Sequence, residues 1–563
     1  MTDWVHPALL FVVGALVLPL LKGRLLQVWL LVIPVAAIAA VAAMTPGEFG
    51  GFEFLGVPLL IGKVDKLSLV FAWVFTIMAF IGCVYSLHVH RPAQHVAAFL
   101  YIGSALGVVF AGDWFTLLVS WEIMAFASAY LIFASRQAPA VRAGMRYLMV
   151  HITGGVLLFG GIVLHGMETG SYLFGPLENS GGLAYTLILV SFILNAAVPP
   201  LNAWLTDAYP EATVTGAVFL SAFTTKTAVY VLIRAYPGTE ILIWLGAAMA
   251  LYGVIYAVLE NDCRRLLAYH IVSQVGYMVV GVGIGTEMAL NGTASHAFAH
   301  IFYKGLLFMG AGAVILMTGR RKLTELGGLY RTMPWTVALY MIGAFAISAF
   351  PFFSGFVTKS MVIAAAAGDN RAAVVLMLTV ASSGTFLHTG LKLPYYMFFA
   401  KDCGLRPKEP PINMLLAMGV AAVLCIGIGL WPGVLYDLLP YPVDYAPYTG
   451  AHITGSLSIL MFTALGFFLF LRSLDPERTI SLDTDWLYRK AARWFMWFAE
   501  KPVARWEGMV SGLSDTVIWR SLNAAARGSL SSDQDIVDAF VNGVARTALA
   551  WGASARRMQT GVV

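Results

Sequence analysis

The sequence predicts an all-α polytopic membrane protein of about 14–15 transmembrane helices, ending in amphipathic interfacial helices. Three observations carry this. Of 563 residues, 59% are hydrophobic and only 12% charged, where a soluble domain carries roughly a quarter charged. The charge is also unevenly placed: residues 1–471 hold 23 Lys/Arg and 20 Asp/Glu, whereas the 92 residues from 472 onward hold 12 and 10. Finally, apolar stretches long enough to cross a bilayer, or nearly so, recur throughout the first part. This composition excludes a water-soluble enzyme. The net charge of +5 is spread over many loops and gives nucleic acid no basic patch.

The apolar segments fall at 5–21, 26–43, 67–87, 96–111, 113–134, 147–167, 183–200, 214–235, 240–259, 266–285, 294–318, 335–365, 372–399, 412–435 and 453–472. The first lacks a basic leading region and reads as a span, not a cleaved signal. When loops are numbered by the span they follow, odd loops hold 15 Lys/Arg, among them Arg136, Arg142, Arg146, Arg320, Arg321, Lys322 and Lys401, and even loops only a handful. The asymmetry places the N-terminus outside and the C-terminal tail in the cytoplasm, in a cell (inner) membrane. Cys83, Cys263, Cys403 and Cys425 stand apart with no CxxC spacing, which argues against iron–sulfur, structural zinc and disulfides. His151 and His165 share a helix, but no second helix offers matching axial ligands, so haem is not expected; no cofactor or metal is.

Two regions are interrupted by proline in the same way: Asn195-Ala-Ala-Val-Pro199-Pro200 and Ala349-Phe350-Pro351-Phe-Phe-Ser354. Proline removes a backbone donor and clashes with the preceding turn, so each interruption predicts a broken membrane helix. Broken helices at matching places in two halves point to internal repeats around a mid-membrane ion site. The spacing leaves room for a five-helix repeat around each break.

A charge at the centre of a membrane helix costs about 2.5–3.5 kcal/mol on insertion scales, so each one needs a reason. Glu122, Lys226, Lys304, Lys359 and Lys392 lie within or beside apolar runs. His296, His300 and Lys304 line one helix face at four-residue spacing, and His388 with Lys392 repeats that spacing. Groups balanced between desolvation and an opposite partner exchange protons near neutral pH, so this set predicts a proton wire. The structural alternative is a set of buried ion pairs or snorkelling side chains, which is the reading for Asp113 and Arg234 near span ends.

Over residues 65–435 these features resemble the antiporter-like membrane subunits shared by respiratory complex I and Mrp-type cation/proton antiporters. The resemblance rests on Asp113-Trp-Phe-Thr-Leu-Leu-Val-Ser-Trp-Glu122, Pro199-Pro-Leu-Asn-Ala-Trp-Leu-Thr-Asp207, Asn261-Asp-Cys-Arg264-Arg-Leu-Leu-Ala-Tyr-His-Ile-Val-Ser-Gln274, His296-Ala-Phe-Ala-His300-Ile-Phe-Tyr-Lys304 and Phe350-Pro-Phe-Phe-Ser-Gly-Phe-Val-Thr-Lys359. It implies two inverted five-helix repeats and a proton path in which Glu122 matches the family's key glutamate, Lys304 its central lysine and Lys359 the lysine of the second broken helix. Two positions depart from the pattern. Asn195 and Arg264 stand where the family has lysines; asparagine carries no proton charge and arginine does not release one. Lys226 resembles a D-type Mrp lysine and is the expected substitute partner of Glu122; the alternative is a path confined to Lys304, Lys359 and Lys392.

The tail, with Trp486, Trp494, Trp497, Trp506, Trp519 and Trp551, and with Ile536, Phe540, Val541 and Val544 on one face, reads as amphipathic helices at the cytoplasmic interface. Its ending, Arg556 to Gly561, resembles the segment after the lateral helix of distal complex I subunits, without the usual final span. The expected organisation is therefore N-terminal helices (1–95), two repeats (96–260 and 261–400), C-terminal helices (401–472) and lateral helices (473–563). Three functions follow in order. The first is a proton-translocating subunit, closest to the D-type Mrp subunit, coupled to Na+ or another monovalent cation and held among other membrane subunits in the lipid bilayer. The second is a proton-pumping membrane-arm subunit of a complex I-like quinone oxidoreductase or hydrogenase, its redox chemistry on partners. The third is a non-conducting scaffold.

Overall fold

The structure is a computed structural model that describes residues 4–54, 56–179, 181–477, 483, 486, 490, 494 and 496–558. Each of the fifteen apolar segments contains a helix. Among the described residues, twelve helices are long and apolar enough to cross a membrane, and three shorter apolar helices, Pro7–Leu20, Leu183–Asn195 and Pro334–Ile347, fill the other places.

Helices α1 (Pro7–Val17) and α2 (Gly23–Ala42) lead into an antiparallel hairpin, β1 (Gly47–Phe54) and β2 (Val57–Val64). From sequence alone this stretch reads as a loop. The hairpin seats on the following bundle: Leu60 N–H donates to Asp113 Oδ2 (2.9 Å) and Gly112 N–H donates to Leu60 O (3.0 Å). Asp65 caps α3 (Lys66–Ser86) in a capping box with Ser68 and pairs with Arg234 at 2.7 Å. In α4 (Pro92–Phe110) the small pair Gly103 and Gly107 works as a contact surface. A Cβ at Gly103 would lie 3.1 Å from Ala8 O of α1, and one at Gly107 only 2.5 Å from Ser120 Oγ. Asp113 caps α5 (Trp114–Phe133), accepting from Thr116 N–H at 2.7 Å.

Helix α6 (Ala138–Thr169) starts well before its apolar segment, at Pro139 in its first turn, so Arg142 and Arg146 lie on its initial turns and not in a loop. At 32 residues it is about 48 Å long, more than the roughly 30 Å hydrocarbon core. Next come α7 (Leu183–Asn195), the short α8 (Ala203–Ala208), α9 (Val214–Ala222), α10 (Thr224–Ala235), α11 (Glu240–Leu259), α12 (Cys263–Ile284) and α13 (Glu287–Thr318). Helices α11 and α12 meet along glycines: a Cβ at Gly246 would lie 2.6 Å from Gly276 O, and one at Gly253 2.5 Å from Ser273 N. The chain then forms α14 (Pro334–Ile347), α15 (Ser354–Gly368) and α16 (Ala372–Thr385), which runs on in wide π turns over Phe386–Lys392 and Tyr395–Phe399. Last are α17 (Ile412–Leu430), the short α18 (Gly433–Tyr436) and α19 (Gly450–Leu469).

Both proline interruptions break their helices, and by the same geometry. After α7, Ala197 takes φ 58° and Val198 N–H donates to Ile193 O (3.0 Å); after α14, Ala349 takes φ 56° and Phe350 N–H donates to Phe345 O (3.1 Å). This is the left-handed closure normally built on glycine, followed here by Pro199 and Pro351. The likeness extends backward. Asp113 and Asp262 each cap a helix (α5, α12) and each form an isolated bridge, to Leu173 and Lys322. Between them stand two 32-residue helices, α6 and α13, each closed by a left-handed glycine, Gly170 and Gly319. In each of these pairs the members lie 149 positions apart.

Residues from 485 onward form a separate unit. In it Ala504–Leu513, Arg520–Ser532 and Ala539–Met558 are α-helical, with π turns between them, and Trp506, Trp519, Phe540 and Trp551 are exposed. The last five residues, including Gly561, lie outside the described residues.

The left-handed closures yield a test. A β-branched residue in that conformation costs about 1–3 kcal/mol, and glycine relieves the strain. Ala349→Val therefore lowers the thermal midpoint of the detergent-solubilised protein, whereas Ala349→Gly leaves it unchanged or raises it. Tryptophan fluorescence on heating reads both, and equal midpoints would contradict the closure.

Candidate functional site

The charged groups singled out in the sequence sit inside the bundle. Lys226, His296, His300, Lys304 and His388 are fully buried, and Arg264, Lys359 and Lys392 nearly so. None of them joins an ion pair among the described residues. Each base must therefore be accommodated by neutral groups, and the local backbone determines how.

Lys226 is held by a third helix break that the sequence does not announce. Between α9 and α10, Phe223 leaves helical geometry (φ −100°, ψ −66°). The opened turn lets the Lys226 ammonium donate to Ser221 O (2.7 Å) and Thr225 Oγ1 (3.1 Å). Thr224 N–H on the same break donates to the Tyr101 hydroxyl (2.9 Å), which also lies 2.6 Å from Thr224 Oγ1.

On α13, the spacing of four brings His296, His300 and Lys304 onto one face as expected: the His296 and His300 rings are 6.1 Å apart, and Tyr303 lies against both. Lys304 Nζ lies 3.0 Å from Nδ1 of His270, a residue of α12 outside the set expected from sequence. His270 Nε2 reaches Thr385 Oγ1 (3.3 Å), which also accepts from Gln274 Nε2 (3.2 Å), and its ring meets His388 at 4.9 Å. His388 pairs through Nδ1 with Thr389 Oγ1 at 2.6 Å, leaving Nε2 without a partner. The spacing of His270, Gln274 and Tyr277 on one helix face is the signal that would have found them.

Lys359, on α15 just past the second break, makes no hydrogen bond; its ammonium lies 5.3 Å from the Tyr277 ring centre. It lines a cavity of about 420 Å³, together with Ser360, Thr379, Ser382, Tyr445 and His452. Lys392 and Arg264 are placed differently. Lys392 donates to Val258 O and Glu260 O, at the C-terminal end of α11, where a cation meets the negative end of the helix. Arg264 donates to Ala212 O (2.7 Å) and Pro210 O (3.4 Å), binding the loop that precedes α9.

The acid of the set, Glu122, lies on α5 against Gly155 of α6, where a Cβ would fall 1.7 Å from its Oε1. That oxygen is buried without a partner. Asn195, the last residue of α7, approaches the neighbouring Gly154; neither its amide nitrogen nor its oxygen has a partner. The open end of α7 is closed by Trp204 of α8, whose indole N–H donates to Leu194 O (2.9 Å). Lys226 is thus placed by its own helix break, without an ion pair to Glu122.

Comparison with known proteins agrees with this architecture. Residues 111–386 match the family described as NADH:quinone oxidoreductase/Mrp antiporter, TM. Over 447 residues the chain is 29% identical to hydrogenase-4 component B of Escherichia coli (strain K12), covering 70% of this chain and 65% of that protein, slightly under two thirds of its length. Over 358 residues it is 30% identical to the D-type Na(+)/H(+) antiporter subunit of Alkalihalophilus pseudofirmus (strain ATCC BAA-2126 / JCM 17055 / OF4), covering 58% of this chain and 72% of that one. A chain in the structure of the Mrp complex from Dietzia sp. DQ12-45-1b has the same fold, with a TM-score of 0.70 at 21% identity, over 81% of this chain and 99% of that chain. This multi-pass membrane protein belongs to the NADH:quinone oxidoreductase/Mrp antiporter family of transmembrane subunits.

Proposed function

We propose that the chain is the proton-translocating subunit of a multi-subunit cation/proton antiporter with Na+ as the coupling ion. One observation carries this reading: a line of buried bases, without acid partners, runs through Lys304, His270 and His388, with His296 and His300 beside it, and Lys359 stands at a cavity. A structural ion-pair network would pair these groups with carboxylates, because an unpaired buried charge is costly. Neutral bases that take up a proton in turn need no such partner. Lys304 and His270 exchange the proton at the centre, Lys359 delivers it to the cavity, and Glu122 with Lys226 serves the other half. Lys392 and Arg264 hold backbone carbonyls and fix helix positions beside the path.

The corresponding capped helices and left-handed closures support two five-helix repeats, the first opening at Asp113 with α5 and ending with α11, the second opening at Asp262 with α12 and ending with α17, in place of bounds at 96–260 and 261–400; an odd helix count inverts the second relative to the first. Loop basic residues support an N-terminus outside and a tail on the cytoplasmic side. The tail, with its exposed tryptophans, acts as a lateral clamp on neighbouring membrane subunits. A second reading, a membrane-arm subunit of an energy-converting hydrogenase or quinone oxidoreductase, is favoured by the similarity to hydrogenase-4 component B over 70% of the chain. Neighbouring genes for small antiporter subunits, as against iron–sulfur subunits, separate the two.

Na+-driven proton movement in everted vesicles carrying the assembled complex tests the path. Lys304→Ala and Lys359→Ala each lower the rate by about tenfold or more, and Glu122→Ala and Lys226→Ala lower it as well. Wild-type rates in all four contradict the reading. Because Lys304 and His270 share one proton, His270→Ala is equally damaging, and the double variant is no worse than either single one. Losses that simply multiply would show that the two act independently.

A further inference from the structure

We propose that Tyr101 is a positioning residue for proton transfer: its hydroxyl holds the α9–α10 break open, so that Ser221 O stays available to Lys226 after the lysine has given up its proton. This rests on the proton-path reading above and adds to it a residue that carries no proton itself.

A helix running unbroken through Phe223 would give the Thr224 N–H to Leu220 O and the Thr225 N–H to Ser221 O. Neither bond forms, because no helical hydrogen bond crosses Phe223. Side chains take their places. Thr224 N–H donates to the Tyr101 hydroxyl (2.9 Å), and Ser221 O accepts from the Lys226 ammonium (2.7 Å). One side chain thus satisfies the donor that the break leaves over, and another satisfies the acceptor.

The two respond differently to a proton. A hydrogen bond from an ionised donor is roughly twice as strong as one from a neutral donor, so Lys226 holds Ser221 O firmly only while it is charged. Once the proton leaves, the Thr225 N–H competes for that carbonyl, and reclosure of the turn would shut the site to the next proton. The bonds Thr224 to Leu220 and Thr225 to Ser221 belong to one turn and form together. By keeping the Thr224 N–H, the Tyr101 hydroxyl opposes both, and it does so whether or not Lys226 is charged.

Tyr101 is fixed for this role. It is fully buried on α4, its ring meets Phe223 edge-on at 5.3 Å, and its hydroxyl also lies 2.6 Å from Thr224 Oγ1. The break is therefore pinned to a helix other than the two it joins. Packing accounts for the ring contact, but it does not account for a hydroxyl placed on the N–H that the break orphans.

The titratable groups facing Lys226 are His296, His300 and Lys304 of α13. On the other helices packed against α10, His270 of α12 turns to Lys304, and Tyr185 of α7 lies on Thr239 (3.0 Å). Removing the Tyr101 hydroxyl alters none of them.

Na+-driven proton movement by the assembled complex in everted vesicles tests this, with rates expressed per amount of complex in the membrane so that poor assembly does not count as lost transport. Tyr101→Phe keeps the ring against Phe223 and removes only the hydroxyl, and it lowers the rate about tenfold. It also moves the alkaline limb of the pH profile down by about one unit, because a proton is taken up less readily where the ammonium finds no carbonyl. Hydrogen exchange of the backbone amides at 224–226 slows in the same variant, as the helix regains its own bonds. A wild-type rate, a loss equal at every pH, or faster exchange over the break, as in a merely loosened helix, overturns the proposal. Lys226→Ala measured alongside separates the two levels. If it is impaired while Tyr101→Phe is unaffected, the path stands and the role of Tyr101 falls; if both retain wild-type rates, Lys226 itself is no part of the path.

Discussion

Everything in this bundle answers to one constraint: basic side chains are buried in a membrane interior without carboxylates to neutralise them. A fixed charge there is costly, and on the proposed reading the lysines and histidines answer it by being neutral for part of the time, taking up and releasing protons in turn. The remaining architecture supplies weak neutral partners in place of counter-ions. Lys226 rests on a carbonyl freed by a helix break, Lys304 on an imidazole nitrogen, Lys359 beside an aromatic ring, and Lys392 on the carbonyl end of a helix. None of these contacts holds a proton as firmly as a carboxylate would.

The helix breaks follow from the same requirement. A continuous membrane helix satisfies every carbonyl internally and leaves nothing for an ammonium group to bind. Opening a helix exposes backbone groups at mid-membrane, where half-helix ends and unwound carbonyls handle ions. Two of the breaks use a left-handed alanine followed by proline, with strain and a missing donor both working against helix continuation. The third, at Phe223, uses neither, and it is held by the Tyr101 hydroxyl taking the Thr224 N–H. The outer helices carry no such groups: α19 buries little beyond Leu460 and Phe467, a surface suited to lipid or neighbouring subunits.

The apolar segments are legible because crossing a membrane demands length and hydrophobicity together, and all fifteen hold helices. The proline breaks are legible because proline has one meaning inside a helix. The hairpin at 47–64 is not, since its glycines read as loop and its seat on the bundle comes from long-range contacts of Leu60 with Asp113 and Gly112. Helix α6 reads too short in the sequence because its first turns are polar. The Phe223 break leaves no trace there, lacking proline and glycine. The proposed path is half legible: charges announce themselves in an apolar run, but single histidines do not. His270 gains its meaning only when α12 brings it beside Lys304.

The most direct test of the central claim is Lys304→Arg in the assembled complex reconstituted into liposomes, with proton flux read by an internal pH dye. Arginine preserves the positive charge and roughly the reach of lysine but does not release its proton in a protein. If Lys304 carries protons, this variant assembles and shows no flux above background. If charge alone matters at this position, Lys304→Arg sustains wild-type flux, and the account of a wire of exchanging bases is contradicted.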